Sequence, residues 1–143
     1  MSDDVKFEEY LSERYAKEVV WYDTKSQHNQ WWAKRYQISI IALSAITPVF
    51  AALEWKWITI VSSALAAMLV GVLKYCKYEE LWHNYRTTCE TLRKEKILFD
   101  NKVSPYDTAD NPKGLFVERV ESMISKENTA WVQVVTKKVK EKK

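Results

Sequence analysis

Two uncharged runs separated by three residues constrain this chain more than any other feature of it. From Tyr36 to Leu53 (YQISIIALSAITPVFAAL) no side chain carries a formal charge. After Glu54-Trp55-Lys56 the same holds from Trp57 to Leu73 (WITIVSSALAAMLVGVL). An α-helix rises about 1.5 Å per residue, so each run spans about 26 Å as a helix, close to a hydrocarbon core of about 30 Å. A link this short makes the two helices antiparallel neighbours.

A buried soluble hairpin is the competing reading, since mean hydropathy over the chain is negative, −0.39. Three features favour lipid. Each run holds eight large aliphatic or Phe side chains, contributing roughly −2.5 to −5 kcal/mol on insertion scales. Neither run contains a charged residue, whereas soluble core helices normally show a polar stripe. The aromatics gather at two levels: Trp31, Trp32, Tyr36, Tyr75 and Tyr78 at one end, Trp55 and Trp57 at the other, as interfacial belts do. Lys34, Arg35, Lys74 and Lys77 flank the runs on one side and Lys56 alone lies between them. The positive-inside rule then puts both termini in the cytoplasm of a multi-pass inner (plasma) membrane protein.

Composition agrees with helices. The sequence is 47% hydrophobic yet 29% charged, so apolar residues are segregated, and two glycines and three prolines leave long helices uninterrupted. The expected fold is all-α: a two-helix transmembrane hairpin continuous with long cytoplasmic helices that form a coiled-coil-like bundle. The expected division is an N-terminal helical arm (1–35), spans at 36–53 and 57–73 around a turn at 54–56, a heptad helix (74–102), a loop (103–113), a C-terminal helix (114–136) and a basic tail (137–143). Tyr78, Trp82, Tyr85, Cys89, Leu92, Lys96 and Phe99 follow steps of four and three, a seam interrupted by Lys96. Phe7, Leu11, Tyr15, Val19 and Tyr22 draw a similar stripe, followed by a polar gap from Asp23 to Gln30. Beyond the loop, Phe116, Val120, Met123, Trp131 and Val134 mark an amphipathic helix. Arms with such seams must pack on one another or on a second copy. Both choices stay open.

Little in the sequence points to catalysis. No HExxH, GxSxG, Walker or dinucleotide motif occurs. Glu80 and His83 form one ExxH unit without the second copy a dinuclear site uses, and Cys89 has no neighbouring base. Cys76 and Cys89 read as reduced thiols. No cofactor or metal is expected. A net charge of +3 is too small to predict nucleic-acid binding, and charges at Asp3, Asp4, Lys6, Glu8 and Glu9 leave no room for an apolar leader there. The basic tail reads first as a solvated, frayed end, and alternatively as a segment drawn to an anionic inner leaflet.

The spans offer more. Thr59, Ser63, Ala67 and Gly71 recur every fourth residue, and Gln37, Ser44, Thr47, Pro48 and Ala51 share a weakly polar face of the first run. Such faces either pack helices closely or line a water-filled pore, which a two-helix protomer encloses only as several copies. Pro48 should loosen its helix. No ionisable group lies inside either run, which argues against proton coupling and voltage sensing.

Residues 82–95 (WHNYRTTCETLRKE) and 116–127 (FVERVESMISKE), followed by Trp131, resemble the post-membrane signature of the SLATT families, as does a first span entered at Tyr36 with Pro48 late in it. The resemblance implies a bacterial or archaeal two-span effector with cytoplasmic helices. It also implies arm packing through Trp82, Tyr85, Arg86, Glu90, Leu92, Glu95, Phe116, Glu118, Glu127 and Trp131, and it carries no catalytic residue. The expected function is a homo-oligomeric pore or channel passing ions. The alternative is a non-conducting membrane-anchored scaffold that binds a cytoplasmic partner.

Overall fold

A computed structural model describes the backbone of residues 3–140 and the side chains of residues 3–129. The described residues contain no strand. In order they form α1 (Asp3–Glu9), a π-helical segment (Tyr10–Tyr15), α2 (Ala16–Ala52), α3 (Lys56–Cys76), α4 (Tyr78–Asp100) and α5 (Pro112–Lys140). Helix runs through the polar gap at residues 23–30, and α2 continues a turn beyond Pro48 before ending at Ala52.

With so few glycines, the helices end on other residues forced into the left-handed region. Glu54 has φ 59°, Lys77 52° and Lys102 50°. At the end of α2 the Trp55 amide donates to the Phe50 carbonyl and the Glu54 amide to Ala51, each at 3.1 Å. This is the Schellman arrangement, closed by an apolar contact between its first and last residues. Here that contact is Phe50 stacked on Trp55 at 5.9 Å. The end of α4 repeats the pattern, with Val103 donating to Leu98 and Lys102 to Phe99. At the other end, α5 starts two residues before Gly114. Pro112 takes the first helical position, where its missing N–H costs nothing. The Asn111 side-chain oxygen accepts from the Gly114 amide at 3.0 Å. A Cβ at Gly114 would stand 2.6 Å from the Asn111 amide nitrogen, so glycine makes room for the cap. Asn111→Ala should lower stability by about 1 kcal/mol. A thermal melt unchanged from wild type would count against the cap.

The chain forms two compact units. One comprises residues 24–85, the other residues 1–23 and 86–143.

In the unit of residues 24–85, α2 and α3 pair along a narrow seam. Within residues 36–53 only Tyr36, Ile40, Leu43, Thr47 and Phe50 are withdrawn from the surface. On α3 they are Thr59, Ser62, Ala66, Leu69, Leu73 and Cys76. Both sets advance by alternating fours and threes. A repeat averaging 3.5 residues keeps one stripe of each helix turned to a neighbour crossing at a shallow angle. Ser26, Asn29 and Ala33 are buried below this seam, and the Ser26 hydroxyl donates to the Trp82 carbonyl at 3.3 Å.

The other unit has a true core. Phe7, Tyr15, Tyr22, Cys89, Leu92, Tyr106, Phe116, Val120 and Ile124 are buried. Phe99 gathers the rings, with centroids 5.3 Å from Phe7, 5.4 Å from Tyr106 and 4.9 Å from Phe116, tilted or edge-on as aromatic quadrupoles prefer. The N-terminal stripe Phe7, Leu11, Tyr15 advances by fours. In a regular α-helix each such step drifts about 40° around the axis. The wider π turn between Tyr10 and Tyr15 takes up that drift and returns Phe7 to the ring cluster. The arms thus close on each other within one chain.

Candidate functional site

The surface of the hairpin departs most from what water tolerates. Helical stretches Asp3–Ala52 and Lys56–Asp100 are each long and apolar enough to cross a membrane, and the most apolar windows in them are 0% and 6% buried. The core helix of a soluble protein would be mostly buried. Ile38, Ile41, Val49, Ile60, Val61 and Met68 all point outward, and Trp57 is 81% exposed. Contiguous apolar surface on this scale marks a membrane or protein interface.

Aromatic rings bound the sheath. At one end Trp32, Tyr36 and Tyr78 form a layered group, Tyr36 on Tyr78 at 5.8 Å and Trp32 on Tyr78 at 6.5 Å. The Arg35 guanidinium covers the Trp31 ring at 5.1 Å. At the other end stand Phe50, Trp55 and Trp57. Hydroxyls along the sheath return to carbonyls of their own helix: Ser39 to Arg35 at 2.9 Å and Ser63 to Ile60 at 2.9 Å. Their polarity is spent locally, which lets them face hydrocarbon cheaply.

Of the two polar faces in the sequence, the structure brings only Thr47 and Thr59 into the seam. Gln37, Ser44, Pro48 and Ala51 of α2, and Ser63, Ala67 and Gly71 of α3, are exposed. A Cβ at Gly71 would meet nothing within 4 Å, so the glycine relieves no crowding inside the hairpin. The polar link across the seam is made instead by Ser62, whose hydroxyl lies 2.9 Å from that of Thr47. Thr47 in turn donates to the Leu43 carbonyl at 2.7 Å.

The residues expected to pack the arms divide as well. Leu92 and Phe116 are buried, and the Leu92 carbonyl accepts from the Tyr15 hydroxyl at 2.9 Å. Trp82 and Tyr85 are half-buried in the unit of residues 24–85. Arg86 pairs with Glu90 at 2.6 Å and with Asp23 at 3.6 Å. Glu127 accepts from the Tyr22 hydroxyl at 3.1 Å. Glu118 is exposed and the side chain of Trp131 lies outside the described residues. Glu95 is 3% exposed, and its carboxylate is clasped by the Tyr106 hydroxyl and by Nε and Nη2 of Arg119, the last at 3.2 Å. Burial pushes the Glu95 carboxyl up, but the donors from Arg119 and Tyr106 outweigh it and hold it below its ordinary value. Burial and the facing carboxylate push Tyr106 the other way. On the flank, the Glu121 carboxyl is lowered chiefly by its bond from Arg14, 3.1 Å to Nε, with Tyr10 donating at 3.0 Å. Tyr106 and Arg119 carry no sequence signal: one lies in a Pro/Asp-rich loop, the other beside the more conspicuous Glu118.

Chemistry is sparse among the described residues. None of their His, Cys, Asp and Glu side chains gather into a group of three able to hold a metal ion. Burial raises the Cys89 thiol, the opposite of what a nucleophile needs. Glu80 pairs with Lys77 at 2.8 Å, and the His83 ring lies against Trp82 at 3.8 Å. In comparison with known proteins, the family described as a protein of unknown function (DUF4231) matches residues 17–114. No curated protein and no solved structure matches.

Proposed function

We propose that this chain, which belongs to the DUF4231 family, is a two-span membrane protein whose copies assemble through the outward faces of their spans and enclose an ion-conducting pore. The observation that carries the reading is the hairpin's inverted surface. Large apolar side chains cover it, while the exposed small and polar groups of both helices are left unused by the hairpin's own seam. Small residues let spans from different copies approach closely, and exposed groups such as Gln37 and Ser44 supply a wettable lining. Among the described residues the arms bury their aromatic core within one chain, which leaves assembly to the spans. Lys34, Arg35, Lys74 and Lys77 favour both termini on the cytoplasmic side. The SLATT resemblance of residues 82–95 and 116–127 supports a membrane effector.

The full chain reconstituted in liposomes should release a small trapped dye or collapse an ion gradient. Tight vesicles at high protein load would overturn the pore and leave the membrane-anchored scaffold. Side chains on the two faces of α2 separate the roles. Ser44→Val should change conductance, because Ser44 faces outward. Thr47→Val should leave conductance unchanged and weaken the hairpin by about 0.6 kcal/mol, the mean for a polar contact between membrane helices. Equal effects on conductance would refute this assignment of faces.

A further inference from the structure

We propose that the cleft at the junction of α3 and α4 holds the headgroup of an aminophospholipid, with its phosphate against Lys74 and its ammonium against Glu79. The cleft is lined by Leu73, Lys74, Lys77, Glu79, Glu80 and His83 and encloses about 400 Å³, within the usual range of small-ligand sites. Lys77 and Glu80 pair at 2.8 Å, which removes one charge of each sign. That leaves Lys74 and Glu79, both exposed, one on either side of the left-handed turn at Lys77. Among the described residues neither has a charged partner. Glu79 also borders a narrower cleft with Lys34 and Trp82, and no ion pair joins it to Lys34.

The site rests on the membrane reading above, which sets its depth. Leu73 ends the uncharged run and Tyr75 is 71% exposed, so the cleft opens where lipid phosphates lie. Basic side chains at that level attract lipid phosphates. A purely anionic headgroup would satisfy Lys74 and set a like charge against Glu79. A choline headgroup carries the cation but has no N–H to donate. A primary ammonium one short linker from a phosphate meets both side chains, adding a charge-assisted hydrogen bond at each.

The full chain, placed in nanodiscs of equal parts ethanolamine, glycerol and choline phospholipid with identical acyl chains, should retain lipid that native mass spectrometry can identify. Ethanolamine lipid is expected to be enriched over glycerol lipid by between about 1.5-fold and 5-fold, the range one exposed ion pair supplies. Glu79→Gln should abolish the enrichment, and Lys74→Gln should lower retention of both. Retained lipid that mirrors the bulk, a wild-type preference for glycerol lipid, or enrichment that survives Glu79→Gln would each overturn the site. A chain that fails to enter the discs would sink the membrane reading itself, whereas one that inserts without lipid preference sinks only this proposal.

Discussion

Glu95→Ala is expected to destabilise the helical unit by about 2–3 kcal/mol. The carboxylate is almost wholly buried and accepts from three donors on Tyr106 and Arg119. Removing it strands the hydroxyl of Tyr106, a residue only 3% exposed; an orphaned buried donor costs roughly 1–3 kcal/mol. The Arg119 side chain is 40% exposed and can turn to water. The total therefore falls below the roughly 3–5 kcal/mol of a fully buried pair broken on one side. Glu95→Gln keeps an acceptor for Tyr106 and should cost about half as much. Denaturant unfolding in detergent, followed by near-ultraviolet dichroism of the tyrosines, gives both numbers. An alanine variant within 0.5 kcal/mol of wild type, a margin typical of unimportant surface changes, would show that the clasp contributes nothing.

The same carboxylate predicts acid sensitivity. Glu95 and Glu121 are both held below their ordinary value of 4.5. As pH falls past that value the unfolded chain takes up protons that the folded chain still refuses. Uptake by the unfolded state alone favours unfolding, so stability is full above the ordinary value and is lost as pH falls through the lowered ones. The slope of stability against pH below 4.5 should be shallower in Glu95→Gln.

Leu65→Arg is expected to have the second large effect, one that arises only in lipid. Leu65 stands midway along α3's uncharged run and is 44% exposed. On an ordinary soluble surface the change would be nearly neutral and would improve solubility. At the centre of a bilayer an arginine costs about 2.5–3.5 kcal/mol on insertion scales, and the lost leucine adds about 0.5. The substitution should lower the apparent insertion constant (inserted over non-inserted) about a hundredfold or more in a translocon-insertion assay, since each 1.4 kcal/mol is a factor of ten. An unchanged inserted fraction would refute the assignment of α3 as a span.

The hairpin was legible because it depends on a property no tertiary context can hide: the absence of charge over two helical lengths joined by three residues. Steps of four and three likewise marked the packed face of α4 from Tyr78 to Phe99, although the buried side chain is Glu95 and its neighbour Lys96 reaches the surface. The seam between the spans was harder to read. Thr59, Ser63, Ala67 and Gly71 catch the eye as small residues spaced by four, yet a strict step of four rotates about 40° each time and leaves the partner's face after Thr59. Ser62, Ala66, Leu69 and Leu73, spaced by four, three and four, are the residues withdrawn from the surface, and among leucines they look unremarkable. Tyr106 and Arg119 were illegible for another reason. Their partner, Glu95, is brought to them by the return of the loop and α5 on α4, and no local pattern encodes that return.

The π turn between Tyr10 and Tyr15 makes the N-terminal arm a device that counts. Because the surplus of the turn is what aims Phe7 at Phe99 and Phe116, a chain one residue shorter there would swing Phe7 about 100° around the axis and into solvent. A change of seven residues would restore that bearing but move Phe7 about 10 Å along the axis, away from both rings. The turn's surplus thus fixes the bearing of Phe7, and a single-residue slip ahead of Tyr15 loses it.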